Sequence, residues 1–214
     1  MIIVEKQIIN LLKRIIYSIK QEIGHNESLR LFNEENILNY ILSLEKKSRE
    51  HIILQQVEPR NKIIKQDHKT SHVYVLKSGI SKCYITTEDG NVFIQEFFGE
   101  GQLFGEVETI HDITSVCSVE SINEVQVYAI NKSYFKKLLS NDKNFNDLIL
   151  KTLTNKIAYK AHRHSYNQFN SIHSNINRLK KIFPELTQVI SKQDIANYLG
   201  VTLRSLNRAL KNQN

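Results

Sequence analysis

The apolar residues change their spacing at Val57. Upstream they recur at helical intervals, over residues 2–23 and again over 34–56. From Val57 to about Ile130 they alternate with a period of two, in short β-branched and aromatic runs. Turn residues interrupt those runs at Pro59-Arg60-Asn61, Gln66-Asp67-His68, Ser78-Gly79, Asp89-Gly90 and Gly99-Glu100-Gly101. This confines the chain to an α+β architecture, with helices at both ends of a small antiparallel β-domain. Strands are expected at Val73–Leu76, Lys82–Thr87, Val92–Phe98, Ser115–Glu120 and Val125–Ile130, closing a β-roll. Asp89-Gly90 predicts a hairpin with a two-residue type I′ turn.

Helical spacing returns at Asn131-Lys132-Ser133, which starts a short helix over Tyr134–Leu139. A longer helix follows from about Asn144 to Tyr166. In it Phe145, Ile149, Leu153, Ile157 and Ala161 recur every four residues, with Leu148, Leu150 and Ala158 widening the stripe. A stripe this wide suits a helix packed on its own domain on one side and on a second copy on the other. A helix packed on one domain only is the alternative. Phe145, Ile149, Leu153 and Ile157 are the expected dimer seam. Asn167–Ile172 reads as a hinge and Ile176–Phe183 as a further helix. The expected organisation is a helical region over 1–56, the roll over 57–140, a dimerisation helix over 141–167 and a C-terminal module over 168–214.

Within that module, Ser191–Lys211 reads SKQDIANYLGVTLRSLNRALK. Ser191 is an N-cap, and Asp194 lies in the first turn, where the helix dipole favours a carboxylate. Ile195, Ala196 and Leu199 form one apolar face, and Gly200 ends the helix in a turn. Thr202 caps a second helix that buries Leu206 and Leu210. Its other face carries Arg204, Ser205, Asn207, Arg208 and Lys211. This is a helix-turn-helix pattern, although two amphipathic helices around a glycine also suit an ordinary helical hairpin.

Charge separates these readings. The formal net charge is +7, with 29 Lys+Arg against 22 Asp+Glu. Residues 151–214 hold 11 of the bases and only two acids, Glu185 and Asp194, a local net of +9 that leaves −2 for the rest. A basic module nearly free of carboxylates is what a phosphate backbone requires. Cys83 and Cys117 are the only cysteines. They are too few for an iron–sulfur or zinc site and fit a reducing compartment as small hydrophobes. His72, His111, His162 and His164 lack a metal-ligand spacing and read as surface residues. Glu5, Lys6, Lys13 and Arg14 break the apolar N-terminal run, so neither a signal peptide nor a membrane span is expected, and a cytoplasmic location is. No nucleophile constellation, phosphate loop or metal spacing points to an enzyme. No cofactor is expected.

The order helix cap, β-roll, long helix, helix-turn-helix resembles the Crp/Fnr family of bacterial transcription regulators. The stretches that carry the resemblance are VYVLKSGISKCYITTEDG (73–90), FFGEGQLFGEVETI (97–110) with the strand at 115–120, and the helix-turn-helix itself. In the family's nucleotide-binding members a Gly-Glu pair places a carboxylate on a ribose hydroxyl, and an Arg-Ser or Arg-Thr pair clamps the cyclic phosphate. Gly105-Glu106 matches the first pair, and Ile113-Thr114 falls at the second, without its arginine. No Lys or Arg lies between Lys82 and Lys132. A buried phosphate without a guanidinium is poorly stabilised, so cyclic AMP binding is not expected unless a residue of the long helix compensates. Glu106 also reads as a carboxylate hydrogen-bonded to backbone in a tight turn. The iron–sulfur cysteine cluster of oxygen-sensing members is absent. Only Asn212-Gln213-Asn214 follow the second helix, so the family's two-stranded wing is expected to be truncated or absent.

The resemblance implies a homodimeric, sequence-specific regulator of double-stranded DNA, with an effector of unidentified chemistry and no membrane partner. Two recognition helices would enter successive major grooves of a palindromic site about 34 Å apart. Aligned on the family motif, Leu203, Arg204 and Arg208 face bases, and Thr202 and Ser205 face phosphates; Asn207 and Lys211 share that surface. A β-roll sensor or interaction protein that dimerises without binding DNA is the alternative.

Overall fold

The computed structural model describes residues 29–45, 48–182 and 189–211. Helix α1 (Leu29–Glu45) precedes eight strands: β1 (Ile52–Val57), β2 (Lys62–Ile64), β3 (His72–Ser78), β4 (Ser81–Thr86), β5 (Val92–Phe98), β6 (Leu103–Phe104), β7 (Ser118–Ser121) and β8 (Val125–Asn131). A short α2 (Glu106–His111) lies between β6 and β7. The chain then continues as α3 (Lys132–Asn141), α4 (Lys143–Phe169), α5 (Ile172–Ile182), α6 (Lys192–Leu199) and α7 (Leu203–Lys211).

The strands form two four-stranded antiparallel sheets, in the orders β1-β8-β3-β6 and β2-β7-β4-β5. Val73–Leu76 is apolar without alternation because both faces of β3 are covered. Tyr74 and Leu76 join Ile64, Phe98, Phe104, Val119, Val127 and Ala129 between the sheets. Val73 and Val75 face outward onto Ile37 and Ile41 of α1, Phe135 of α3, and Phe145 and Ile149 of α4. A third cluster joins Tyr84, Ile94 and Phe97 of the roll to Ile176, Leu179, Ala196, Tyr198 and Leu206 of the C-terminal helices. The pair α6–α7 therefore packs on the β4–β5 hairpin of its own chain.

Several expectations need correction. Residues 52–57 form strand β1 rather than the end of a helix, pairing with β8 from Ile52↔Ile130 to Val57↔Val125. The last expected strand pair starts late: β7 begins at Ser118, after a bend at 116–117. In the β4–β5 hairpin Gly90 has φ 79°, but Asp89 does not share a positive φ, so the turn is not type I′. Gly90 N–H bonds Thr87 O and Thr87 N–H bonds Asn91 O, each at 2.9 Å. That is a type I turn followed by a left-handed glycine, the three-residue hairpin loop. Helix α4 runs through Phe169 and breaks only at Asn170-Ser171, so the expected hinge at 167–172 shrinks to two residues. Asp142 caps α4 by accepting from Phe145 N–H at 3.0 Å, and Asn131 caps α3 by accepting from Ser133 N–H at 2.9 Å.

The expected dimer seam is also corrected in part. Phe145 and Ile149 are each 1% exposed, because they fill the chain's own core against α1 and the outer face of the roll. Leu153 is partly buried against the same cluster. Ile157 alone of the four lies on the open side, at 69% exposure. Leu150 is exposed as well, and Leu150, Thr154, Ile157 and Ala161 share an exposed face at intervals of four, three and four. That spacing is the seam of a two-stranded coiled coil. Residues 2–23, Glu185 and the residues after Lys211 lie outside the described residues.

Candidate nucleic-acid interface and effector cleft

The helix pair α6–α7, expected to be a helix-turn-helix, is built from its caps. Ser191 Oγ accepts from Asp194 N–H at 3.0 Å and starts α6. Gly200, at φ 68°, ends it, and Val201 N–H returns to Ala196 O at 3.0 Å. Thr202 Oγ1 accepts from Ser205 N–H at 3.1 Å and starts α7. Ala196 and Leu206 are fully buried where the two helices meet. Burying Leu206 turns the opposite face of α7 outward. Leu203, Arg204, Asn207, Arg208 and Lys211 line one shallow open groove there. Arg208 also borders a second groove with Ser171, Ile172, His173, Ser205 and Ala209. Thr202 is exposed and Ser205 half-buried at the start of α7.

The one described carboxylate of α5–α7, Asp194, is turned away from that face. Lys82 of β4 approaches its Oδ1 at 3.1 Å and also lies 3.4 Å from Glu120 Oε1. The ion pair neutralises a negative charge in the basic C-terminal module and fastens α6 to the roll. Tyr84, beside it, donates to Glu120 at 2.9 Å, and burial with that bond pushes its phenol up to about 12.

A second candidate site lies where the roll meets α4. Gly105 adopts φ 87° at the start of α2, and a Cβ there would stand 3.0 Å from His72 O. Only a glycine turns the chain this close to β3, and the turn carries Glu106 inward, where its side chain is 5% exposed. Lys156 of α4 meets it: Nζ donates to Glu106 Oε1 at 2.7 Å and also to Leu103 O. The ammonium sits 5.5 Å from the centre of the Phe98 ring. Burial disfavours the charged lysine, but Glu106 and Glu96 outweigh it and hold its pKa above the ordinary range. One turn on, Lys160 lies 3.8 Å from the buried Glu96. Arg163 then donates to Gln95 O and lies 4.7 Å over the Tyr198 ring. Tyr159 and Tyr198 hydroxyls are 2.8 Å apart. Positions 156, 159, 160 and 163 thus make one polar stripe that ties α4 to the roll and to α6.

The Gly-Glu half of the cassette is therefore buried against α4, and the other half is not. Ile113 is 43% exposed and Thr114 is exposed too, on the loop after α2. Glu106 is buried and these two residues are exposed. The partner of Glu106 Oε1 is a lysine fifty residues away. Sequence reasoning missed Lys156 and Glu96. The available signal was the basic spacing of 156, 160 and 163 inside an apolar helix, and a carboxylate in the apolar run Val92–Phe98. Among the described residues no group of three His, Cys, Asp or Glu could hold a metal ion, and no helix is long and apolar enough to cross a membrane.

Residues 54–142 match the cyclic nucleotide-binding domain family. The potassium channel KAT2 of Oryza sativa subsp. japonica is 29% identical over 107 residues, half of this chain but only 18% of the channel. The chain thus spans less than a fifth of the length of the rice channels it matches. The regulatory protein YeiL of Escherichia coli O157:H7 is 29% identical over 154 residues, covering 69% of this chain and 68% of YeiL. Among solved structures, a protein from Eubacterium rectale described as a transcriptional regulator of the Crp/Fnr family superposes with a TM-score of 0.66 at 15% identity, over 79% of this chain and 82% of that one. Residues 54–142 thus match the cyclic nucleotide-binding domain family, and the chain shares its fold with solved proteins described as Crp/Fnr transcription regulators.

Proposed function

We propose that this chain is a homodimeric, sequence-specific DNA-binding transcription regulator that does not respond to cyclic AMP. The observation that carries the reading is the outward face of α7. It offers Arg204, Asn207, Arg208 and Lys211 on one open surface, with the nearby Asp194 neutralised by Lys82. Two guanidiniums one helical turn apart can each pair bidentately with a guanine edge, and Thr202 and Ser205 are short donors suited to phosphates. The exposed stripe Leu150, Thr154, Ile157 and Ala161 supports a second copy packed along α4, giving the two-fold arrangement a palindromic site requires.

The cleft supports the second half of the reading. The cation that the cassette lacks does come from the long helix, but Lys156 is spent on Glu106 and Leu103 O rather than held ready for a phosphate. A cyclic nucleotide would have to break this buried pair before its ribose could reach the carboxylate. Electrophoretic mobility shift with fragments selected from random DNA tests the DNA half. Titration with cyclic AMP, read by melting temperature and by DNA affinity, tests the other.

A further inference from the structure

Helix α6 is seated on the roll and on α4 at three separate points. Tyr198, 4% exposed, is the centre of the first. Its ring lies 5.1 Å from the Phe97 ring of β5, and the Arg163 guanidinium of α4 stands 4.7 Å over it. Its hydroxyl lies 2.8 Å from that of Tyr159, also on α4, and Arg163 continues to Gln95 O of β5. The second point is Asp194. Its Oδ1 accepts from Lys82 Nζ of β4 at 3.1 Å, and Glu120 Oε1 of β7 is 3.4 Å from the same ammonium. These three side chains are 17–19% exposed, so water screens the pairs less than it would at an open surface. The third point is the turn after α6, where a Cβ on Gly200 would lie 3.7 Å from the Phe93 ring of β5. Beneath all three, Tyr84, Ile94 and Phe97 pack in one apolar cluster with Ala196 and Leu206.

We propose that this seat is a closed latch, which holds α7 in its DNA-reading position without an effector and makes the protein a constitutive binder rather than a ligand-triggered one. The proposal rests on the DNA-binding reading of α7. With the latch closed, Leu203, Arg204, Asn207, Arg208 and Lys211 still line an open surface. The stripe Leu150, Thr154, Ile157 and Ala161 of α4 stays exposed as well. Both surfaces that a DNA-bound dimer needs are thus presented in one conformation. The latch is built from the chain's own side chains. Tyr159 and Arg163 share their stripe of α4 with Lys156 and Lys160, which reach Glu106 and Glu96 of the roll. The contacts that fix α4 on the roll therefore also fix α6 on α4. A ligand shifts an equilibrium between two positions of a helix only by its differential affinity for them, and a position already held by buried contacts leaves little to shift. Tyr159, Arg163 and Lys82 act as positioning residues, since none of them lines the α7 groove.

Tyr159→Phe deletes one hydroxyl, and Tyr159→Phe/Arg163→Met also deletes the cation over Tyr198 while keeping most of the side-chain volume. The full-length proteins are unfolded in urea, freed of small molecules by gel filtration and refolded. Refolded wild type should bind a fragment selected from random DNA within about twofold of its affinity before unfolding. The double variant should bind that fragment at least about tenfold more weakly, with the single variant between. Its affinity for a scrambled fragment and its salt slope should stay those of wild type; a slope lower by about one would make Arg163 a phosphate contact instead and overturn its positioning role. Deuterium exchange without DNA should show the α6 amides of the double variant opening at least about tenfold faster, with β3 and β8 unchanged, which separates an open latch from a weakened roll. Tighter binding by either variant would make the closed latch inhibitory, and unchanged binding by both would make it inert; each result overturns the proposal. So does refolded wild type that recovers its affinity only when the low-molecular-weight fraction of a cell lysate is added. Wild type that binds no fragment before or after refolding refutes the DNA-binding reading itself, and the proposal with it, a result distinct from all of these.

Discussion

Replacing Lys156 by Met removes an ammonium from a nearly dry site and keeps most of the side-chain volume. It leaves Glu106, whose side chain is 5% exposed, without its cation, and Leu103 O without its donor. Stranding one partner of a buried pair costs about 3–5 kcal/mol. The carboxylate can escape by binding a proton, which sets a ceiling. From a free pKa of about 4.3, protonation at pH 7 costs about 3.7 kcal/mol, so the expected loss is about 3 kcal/mol. For a chain of this size that lowers the melting temperature by roughly 6–12 °C. The double variant Lys156→Met/Glu106→Gln carries no buried charge at the pair and should lie within about 1 kcal/mol of wild type. The deficit of the single variant should also depend on pH. Its Glu106 has a raised folded pKa, so the folded state holds the proton more tightly than the unfolded chain. Stability then rises as pH falls from 7 toward the unfolded value, and at pH 5 the ceiling is about 1 kcal/mol. Urea titrations at both pH values give these numbers. A single variant as stable as the double, or a deficit unchanged between pH 7 and 5, would refute the Lys156–Glu106 pairing.

Arg208→Ala should leave the melting temperature unchanged and weaken specific DNA binding by about 1–3 kcal/mol, relaxing preference at one base pair per half-site, whereas Lys192→Ala should at most weaken all sequences evenly; anisotropy on matched and scrambled fragments separates them. Ile157→Glu with Leu150→Glu should give monomers by sedimentation while Phe145→Ala, a core change, should cost about 3–5 kcal/mol and leave the oligomeric state alone. Cyclic AMP at millimolar concentration should not move the melting temperature, where a ligand at a hundred times its dissociation constant would add about 2.7 kcal/mol. The folded pKa of Lys156 is raised, so its contribution is complete below its unfolded pKa of about 10.4 and is lost as pH climbs through the folded value; wild type should therefore lose stability above pH 10 more steeply than Lys156→Met, read by melting temperature.

What was legible in the sequence is what depends on neighbours a few residues away. Ser191 and Thr202 were readable as caps because each bonds an amide three residues on. Leu206 was readable as buried because the period of α7 is strict. What was missed depends on distant partners. Strand β1 exposes Ile53 and Leu54 and carries two glutamines, so nothing in its own pattern alternates, and its identity comes from β8, seventy residues later. The four-residue repeat in α4 is real, but Phe145 and Ile149 serve the chain's own core. The open face is spelled in part by Thr154 and Ala161, which no count of apolar residues picks out. Lys156 looked like a solvated charge in a helix until the fold brought Glu106 to it.

The proposed DNA recognition by α7 is tested most directly with the wild-type protein on two fragments, one selected from random sequence and one scrambled from it, across a series of salt concentrations. The expected result is a steep fall of affinity with salt on both fragments and a preference of at least about a thousandfold for the selected one at physiological salt. Equal affinity for the two fragments, or no binding to either at low salt, would contradict a sequence-reading role for this helix.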